Sequence, residues 1–538
     1  MDLTLREVLS VLSKASPFSV KTDSQKPHDS LDDAKAWLYV EQDIETEFRK
    51  ILTFLAPGTI VFLCGSSGDG KSEILTRCQK QYQDIYTFHL DATHSFAPHQ
   101  SAIEALDERF TRSVSDQRPL VVGINIGMLA NYAKEGASEH AALREEIDTF
   151  LRKEHVQGRC QFLDFEDFPK FHFALDGATS NSKFAKKLMQ RLTEASDENP
   201  FHALALSDAN KKHDPLLLSN FSLLALDEVQ DAIITCLFKV RLIKDQFITA
   251  RSLLDFIHHL LLGDSGLADN MFSGSDNELV MRMSDFDPVL RHTHKLDQFV
   301  LLHGLQLPNP ELGAFLAQLH TDRLVSPLSN AMELSAASLL RLFYLLRDLS
   351  IGNNFHEVFK EDFQEKLLTE YEKVWMLHLD YQKHGGDKLG LRPFYTDELI
   401  EAVYRHANRN SPLRGKGEIF LGKSGALQLS APIDITADFS SIRSQSLTSV
   451  SRFSACLRVE NVSLKPVPIN LNFFELILKL NRGYRPNKYD KNSVVLLDEL
   501  VEQVRDQAKK SSKLNFYEDG KCYTAKQDDD MISISGAI

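Results

Sequence analysis

The chain has 538 residues, too many for one hydrophobic core, so roughly two to four domains are expected. With 43% apolar and 25% charged residues the composition is that of a folded globular protein, which excludes wholesale disorder. A net charge of −14 from 61 basic and 75 acidic residues excludes a chain that coats DNA over its whole surface; a local basic groove, or contact with DNA through partners, stays open.

The N-terminal stretch "MDLTLREVLSVLSKASPFSV" mixes charges at helical spacing and lacks the unbroken apolar core of a signal peptide. No apolar run approaches the roughly 18–20 residues that span a bilayer. The six cysteines, Cys64, Cys78, Cys160, Cys236, Cys456 and Cys522, contain no C-x-x-C pair, against both a zinc ribbon and a disulfide framework. A reducing cytoplasm is the expected location.

Residues 1–56 read as an N-terminal helical segment, two amphipathic helices around the polar connector "KTDSQKPHDS". Over 57–200 short apolar runs alternate with helical stretches: "TIVFLC" (59–64), "IYTFHLD" (85–91), "PLVVGINIG" (119–127) and "CQFLDFE" (160–166). Such alternation predicts a parallel sheet covered by helices on both faces, an α/β fold. Residues 201–265 read as a helical lid, 266–410 as a further helical domain, and 411–538 as a small mixed α+β C-terminal domain with a helix pair and a polar tail.

The chemistry begins at "CGSSGDGKSEIL", where Gly65, Gly70, Lys71 and Ser72 satisfy G-x-x-x-x-G-K-[ST]. Upstream, Ile60 to Cys64 is an apolar run of the kind buried on both faces of a parallel sheet; downstream, Ile74, Leu75, Cys78 and Tyr82 recur at helical spacing. Strand, glycine loop and helix in that order predict a P-loop NTPase core, AAA/ASCE-like, with ATP and Mg²⁺ as the expected cofactors. Gly65, Gly68 and Gly70 let backbone amides turn onto phosphate oxygens at the positive end of the new helix. Lys71 is expected on the outer phosphates and the Ser72 hydroxyl on Mg²⁺, with Ser66, Ser67, Asp69 and Glu73 completing the ATP-contacting stretch. Gly417, Gly422, Lys423 and Ser424 match the same pattern, but "GALQLSAPI" then alternates like a strand and meets Pro432; this second match is a decoy.

A catalytic acid is sought at the end of another parallel strand. "LLALDE", ending in Asp227 and Glu228, continues at helical spacing through Val229, Ile233, Leu237 and Val240, and is read as helical. Asp91, ending "IYTFHLD", is the better candidate for Mg²⁺ and catalysis, against the alternative that it caps a helix starting near Thr93 and Ser95. Asn125 ends a buried-strand pattern where a γ-phosphate sensor stands in this class; the alternative is a turn-forming Asn before Gly127. Arg251, in "FITARSLLDFI", is placed to reach nucleotide from the lid, or is a solvated helix arginine.

The spacing of His89, His94 and His99 suits no common zinc motif. Asp164 and Glu166 share one strand face and read as a solvated sheet edge, without a lysine in a nuclease arrangement. Two basic stretches, Arg405, Arg409, Arg414 and Lys416, and Arg482, Arg485, Lys488 and Lys491, have the composition of phosphate-tracking loops or of merely solvated ones.

"GSSGDGKSEIL", "HLDATHSFAP", "VVGINIGML", "FITARSLLDFI" and "NRGYRPN", in that order, resemble the DptF (DndF) ATPase-subunit family of phosphorothioation-dependent restriction systems. The resemblance runs over most of the chain. It implies a bacterial defence ATPase that acts with DptG- and DptH-like subunits, one a larger motor-like ATPase, on DNA lacking the host's sulfur modification. It also implies that Gly65, Gly70, Lys71 and Ser72 bind ATP and Mg²⁺, with Asp91 and Asn125 completing the site. His89 interrupts an ideal apolar strand before the acid, which leaves the hydrolytic role of Asp91 open. From the residues themselves two other classes stay open: a switch that binds ATP without steady hydrolysis and, more weakly, a kinase.

Overall fold

The computed structural model describes residues 3–13, 30–93, 99–173, 181–326, 334–386, 388–411, 417–445, 450–518, 521–528 and 531–536. It forms two compact units, Met1–Gln364 and Glu365–Ile538.

The first unit is built on four parallel strands: β1 (Ile60–Cys64), β2 (Thr87–His89), β3 (Leu120–Ile124) and β4 (Cys160–Asp164). Their order in the sheet is β2-β3-β1-β4. Every residue of β1 is inaccessible to solvent, which explains the unbroken apolar run: a central strand covered on both faces has no position for a polar side chain. Val61 and Leu63 face one layer, with Ile44, Phe48 and Leu52 of the helix Asp43–Thr53 and Ile74, Leu75 and Cys78 of the helix Lys71–Tyr82. Ile60, Phe62 and Cys64 face the other, with Leu106 and Phe110, Leu129 and Tyr132, and Leu143 and Ile147. The expected α/β sheet with helices on both faces is present.

The register brings the functional ends level. Cys64 lies opposite Ile124 and Asp164, and His89 opposite Val122, so the chain leaving β2 passes Gly123 and Ile124. Ala92 N–H donates to the Gly123 carbonyl at 2.9 Å as it goes by. Gly123 makes that passage possible: a Cβ there would stand 2.4 Å from Leu75 Cδ1 and 2.6 Å from the Leu90 carbonyl oxygen. The leucine tip can yield; the backbone oxygen cannot. Gly123→Ala is therefore expected to cost about 1–3 kcal/mol by overpacking, read as a lower urea midpoint for the first unit.

The structure departs from two expectations and leaves a third outside the described residues. Among its described residues the N-terminal segment holds three helices rather than two, Leu5–Leu9, Ser30–Trp37 and Asp43–Thr53, with a 3₁₀ turn at Ser10–Leu12; a capping box at Thr4 starts the first and shortest of them, and most of the connector, residues 21–29, lies outside the described residues. Among the described residues the next helix after Asp91 is Ala102–Asp116, capped by Ser101; the helix start read near Thr93 and Ser95 runs into residues 94–98, His94 and Ser95 among them, which lie outside the described residues. Asp164 and Glu166 do not share a strand face: β4 ends at Asp164, and Glu166 sits in a 3₁₀ turn. The remainder of the unit, from Lys183 on, is helical among the described residues, including Asp227–Lys244, as expected for "LLALDE".

In the second unit the sheet order is β14-β13-β12-β6-β5, antiparallel, from β5 (Glu418–Ser424) and β6 (Leu427–Pro432) to β12 (Lys513–Glu518), β13 (Lys521–Asp528) and β14 (Met531–Ser535). Smaller ladders pair β10 (Val462–Ser463) with β9 (Leu457–Val459) and β7 (Ile435–Ala437), and β11 (Val467–Asn470) with β8 (Arg452–Ala455). The second Gly-Lys-Ser match is the β5–β6 hairpin, so Lys423 opens no helix. The expected polar tail is instead β12 to β14. Two of its polar residues are satisfied across the sheet, where buried Glu418 accepts from Asn515 Nδ2 at 2.9 Å and Tyr517 OH at 2.9 Å, as well as from Ser430 Oγ at 2.8 Å.

Candidate functional site

At the C-terminal edge of the parallel sheet β1 runs into the loop 65–70 and the helix Lys71–Tyr82. Two loop glycines have left-handed backbone, Gly68 at φ +86° and Gly70 at φ +102°. Close approach restricts them further. A Cβ on Gly65 would lie 2.8 Å from Phe165 Cδ2, one on Gly68 2.8 Å from Arg251 Cβ, and one on Gly70 2.9 Å from Gln42 Nε2. The loop is thus gripped by the chain after β4, by the start of the helix Ala250–Leu262, and by the segment before Asp43–Thr53.

Side chains divide between the inside and the outside of the loop. Ser66, Ser67 and Ser72 are exposed, Ser72 in the first helical turn. Asp69 is fully buried: one carboxylate oxygen accepts the Ser66 N–H at 2.6 Å and the other meets Lys170 Nζ at 3.3 Å. Lys170 is itself buried, and burial pushes its pKa down against the opposing pull of Asp69. Glu73 pairs with Arg77 at 2.9 Å, and the Arg77 guanidinium lies over the Tyr39 ring at 3.4 Å.

Lys71 Nζ donates to the carbonyls of Gly65 at 2.9 Å and Ser66 at 2.7 Å. Burial lowers its pKa, while Asp69, Asp91 and Asp164 all favour its charged form. That electrostatic reach marks the site: carboxylates from the ends of β2 and β4 sense the same ammonium. Asp91 Oδ1 accepts both the N–H of Thr93 at 2.9 Å and its hydroxyl at 2.7 Å, an Asx turn in place of the helix cap. Asn125 caps the helix Ile126–Glu135, its Oδ1 accepting Met128 N–H at 2.6 Å, which leaves its amide nitrogen to donate.

Arg251 stands against the loop. Its N–H donates to the Gly68 carbonyl at 3.0 Å, the Thr249–Ser252 capping box fixes the helix start, and burial lowers its pKa. Lys71 and the backbone of Arg251 thus touch the loop directly, Asp91 acts on the Lys71 charge, and Asn125 follows Ile124, whose carbonyl accepts the Gly65 N–H at 3.3 Å. Asp227 does not join them: it lies in the first turn of its helix and pairs with Lys186 at 3.0 Å.

Three residues at the site escaped the sequence. Asp164, expected on a solvated edge, is buried in register with Cys64; burial pushes its carboxyl up, against the Glu166 N–H that it accepts at 3.0 Å. An apolar run ending in an acid, as in β2, was its only signal. Lys170 and Gln42, whose Nε2 donates to the Asp69 carbonyl at 3.3 Å, gave none, because their partners are remote in sequence. Among the described residues no group of His, Cys, Asp and Glu has the geometry to hold a metal ion on its own, and His94 is not described.

Compared with family models, with curated proteins and with solved structures, the chain matches none. No helix among the described residues is long and apolar enough to cross a membrane.

Proposed function

We propose that this chain is a P-loop ATPase that binds ATP and Mg²⁺ at the 65–72 loop, and that it serves a multi-subunit restriction complex, with DptG- and DptH-like partners, acting on DNA without phosphorothioate. The observation that carries the nucleotide half is the strand–glycine loop–helix unit, with Lys71 and the backbone of Arg251 touching its loop and Asp91 acting on the Lys71 charge. The sheet order supports the additional-strand class: β3 lies between the loop strand β1 and the acid-bearing β2. The restriction half rests on the five ordered segments from "GSSGDGKSEIL" to "NRGYRPN".

The loop amides and the dipole of the helix Lys71–Tyr82 hold phosphate oxygens, and Lys71 exchanges its two carbonyl partners for them. Mg²⁺, when bound, neutralises phosphate charge, and Ser72 and Asp91 are the residues to hold it. Asn125 orients water or the outer phosphate through its amide nitrogen, and Arg251 closes the site from the helix Ala250–Leu262.

A second reading, an ATP-dependent switch without steady hydrolysis, is favoured by one observation. Asp91 is followed by Ala92 rather than a second acid, and its Oδ1 is engaged twice by Thr93. Phosphate release by the purified chain with ATP and Mg²⁺, alone and with partner subunits and modified or unmodified DNA, separates the two. Turnover that rises with unmodified DNA is the expected result; ATP binding with no turnover in any mixture selects the switch, and no ATP binding overturns both.

A further inference from the structure

The helices Leu471–Asn481 and Lys491–Ala508 of the second unit are joined by an exposed loop whose chemistry the nucleotide site does not use. Arg482, Arg485, Lys488 and Lys491 recur at every third position and are all exposed. Among the described residues none of the four is paired with a carboxylate. The one acid in the stretch, Asp490, is consumed internally, accepting from Tyr484 OH and from Asn487 N–H, both at 2.8 Å. In a chain of net charge −14 this is a local reversal of sign.

The loop is also built rather than slack. Asn487 Nδ2 donates to Tyr484 OH at 2.7 Å, Tyr489 N–H donates to Asn487 Oδ1 at 2.8 Å, and Gly483 turns the chain out of its helix at φ +89°. The result holds the Tyr489 ring outward, 85% exposed, with Lys488 Nζ 5.0 Å from its centroid. An aromatic ring left this open costs hydration free energy that folding normally recovers by burial. Cations alone would fit any anionic surface. A presented ring beside evenly spaced cations fits a polymer that alternates phosphates with flat bases.

We propose that the 482–491 loop binds single-stranded nucleic acid, with Arg482, Arg485, Lys488 and Lys491 on the phosphates and Tyr489 stacked on a base. The proposed function leaves contact with DNA direct or through partners; here the contact is direct, and it stands without the ATP site. The test omits nucleotide, so that failure here and failure of the ATPase reading are separate results.

Fluorescein-labelled oligo-thymidine, as DNA and as RNA, is titrated with the full chain by anisotropy over a range of salt, with a duplex of equal length as a third arm. Tyr489→Ala is expected to weaken single-strand binding about 5- to 140-fold, from the usual worth of one stacked base. Arg482→Gln with Arg485→Gln is expected to make the slope of log affinity against log salt shallower by about 1.4, two phosphate contacts' worth. Unchanged circular dichroism and melting in each variant separate lost contact from lost fold. Absence of salt-dependent binding by the natural chain overturns the proposal. So does Tyr489→Ala binding like the natural chain, or equal competition by polyglutamate, which would make the loop a dock for acidic protein.

Discussion

Lys71→Ala is expected to lower ATP turnover about 100-fold or more, the usual cost of removing one preorganised donor from a charge-developing centre. The ammonium already sits in place, 2.9 Å and 2.7 Å from the Gly65 and Ser66 carbonyls, so little side-chain entropy remains to be lost when phosphate oxygens replace them. Burial disfavours its charge, while Asp69, Asp91 and Asp164 favour it. Alanine removes that cation from the loop and with it the group that would meet the phosphate oxygens, so binding weakens as well as turnover. Phosphate release and nucleotide affinity, both measured on the variant, check the prediction. Turnover equal to that of the natural chain would remove the 65–72 loop from the chemistry. The fold itself is expected to survive, because Lys71 is only half-buried and its polar contacts are to two loop carbonyls.

That site was legible where the physics is local. The apolar runs at 60–64 and 120–124 are central strands, and their complete burial is what excludes polar residues from them. The decoy at 417–424 was separable because a strand alternates where a helix cannot. Arg251 could be picked out by helical position, yet nothing in its neighbourhood tells that its N–H meets Gly68, 183 positions earlier in the numbering, at 3.0 Å. Asp164 was misjudged for a related reason: a charged residue near a strand end reads as solvated unless the packing over it, here Phe165 against Gly65, is known. The strands β12 and β13 read as a polar tail because Asn515 and Tyr517 satisfy Glu418 across the sheet, a partnership no periodicity reveals. Local pattern thus recovers strands, glycine loops and helix starts; pairings between distant side chains need the fold.

The most consequential of those distant pairings is Asp69 with Lys170. An acid inside a phosphate loop opposes the ligand by like charge, unless its carboxylate is turned away and neutralised. Both conditions hold: Asp69 is fully buried, it anchors the Ser66 N–H at 2.6 Å, and Lys170 meets it at 3.3 Å. Lys170→Met keeps the length and apolar stem of the side chain but strands the buried carboxylate. Removing one partner of a buried pair costs about 3–5 kcal/mol, so a fall in melting temperature on the order of 5 °C is expected. ATP affinity should fall with it, since the uncompensated charge lies in the phosphate loop. Asp69→Asn in the same chain removes the stranded charge while its amide oxygen still accepts from Ser66, so the double variant should regain most of both losses. A purely packing role for Lys170 predicts otherwise: the double variant would melt no higher than Lys170→Met alone. Calorimetry and nucleotide titration on the four chains of the cycle decide between charge and shape, because only a charge interaction is relieved by changing the acid to its isosteric amide.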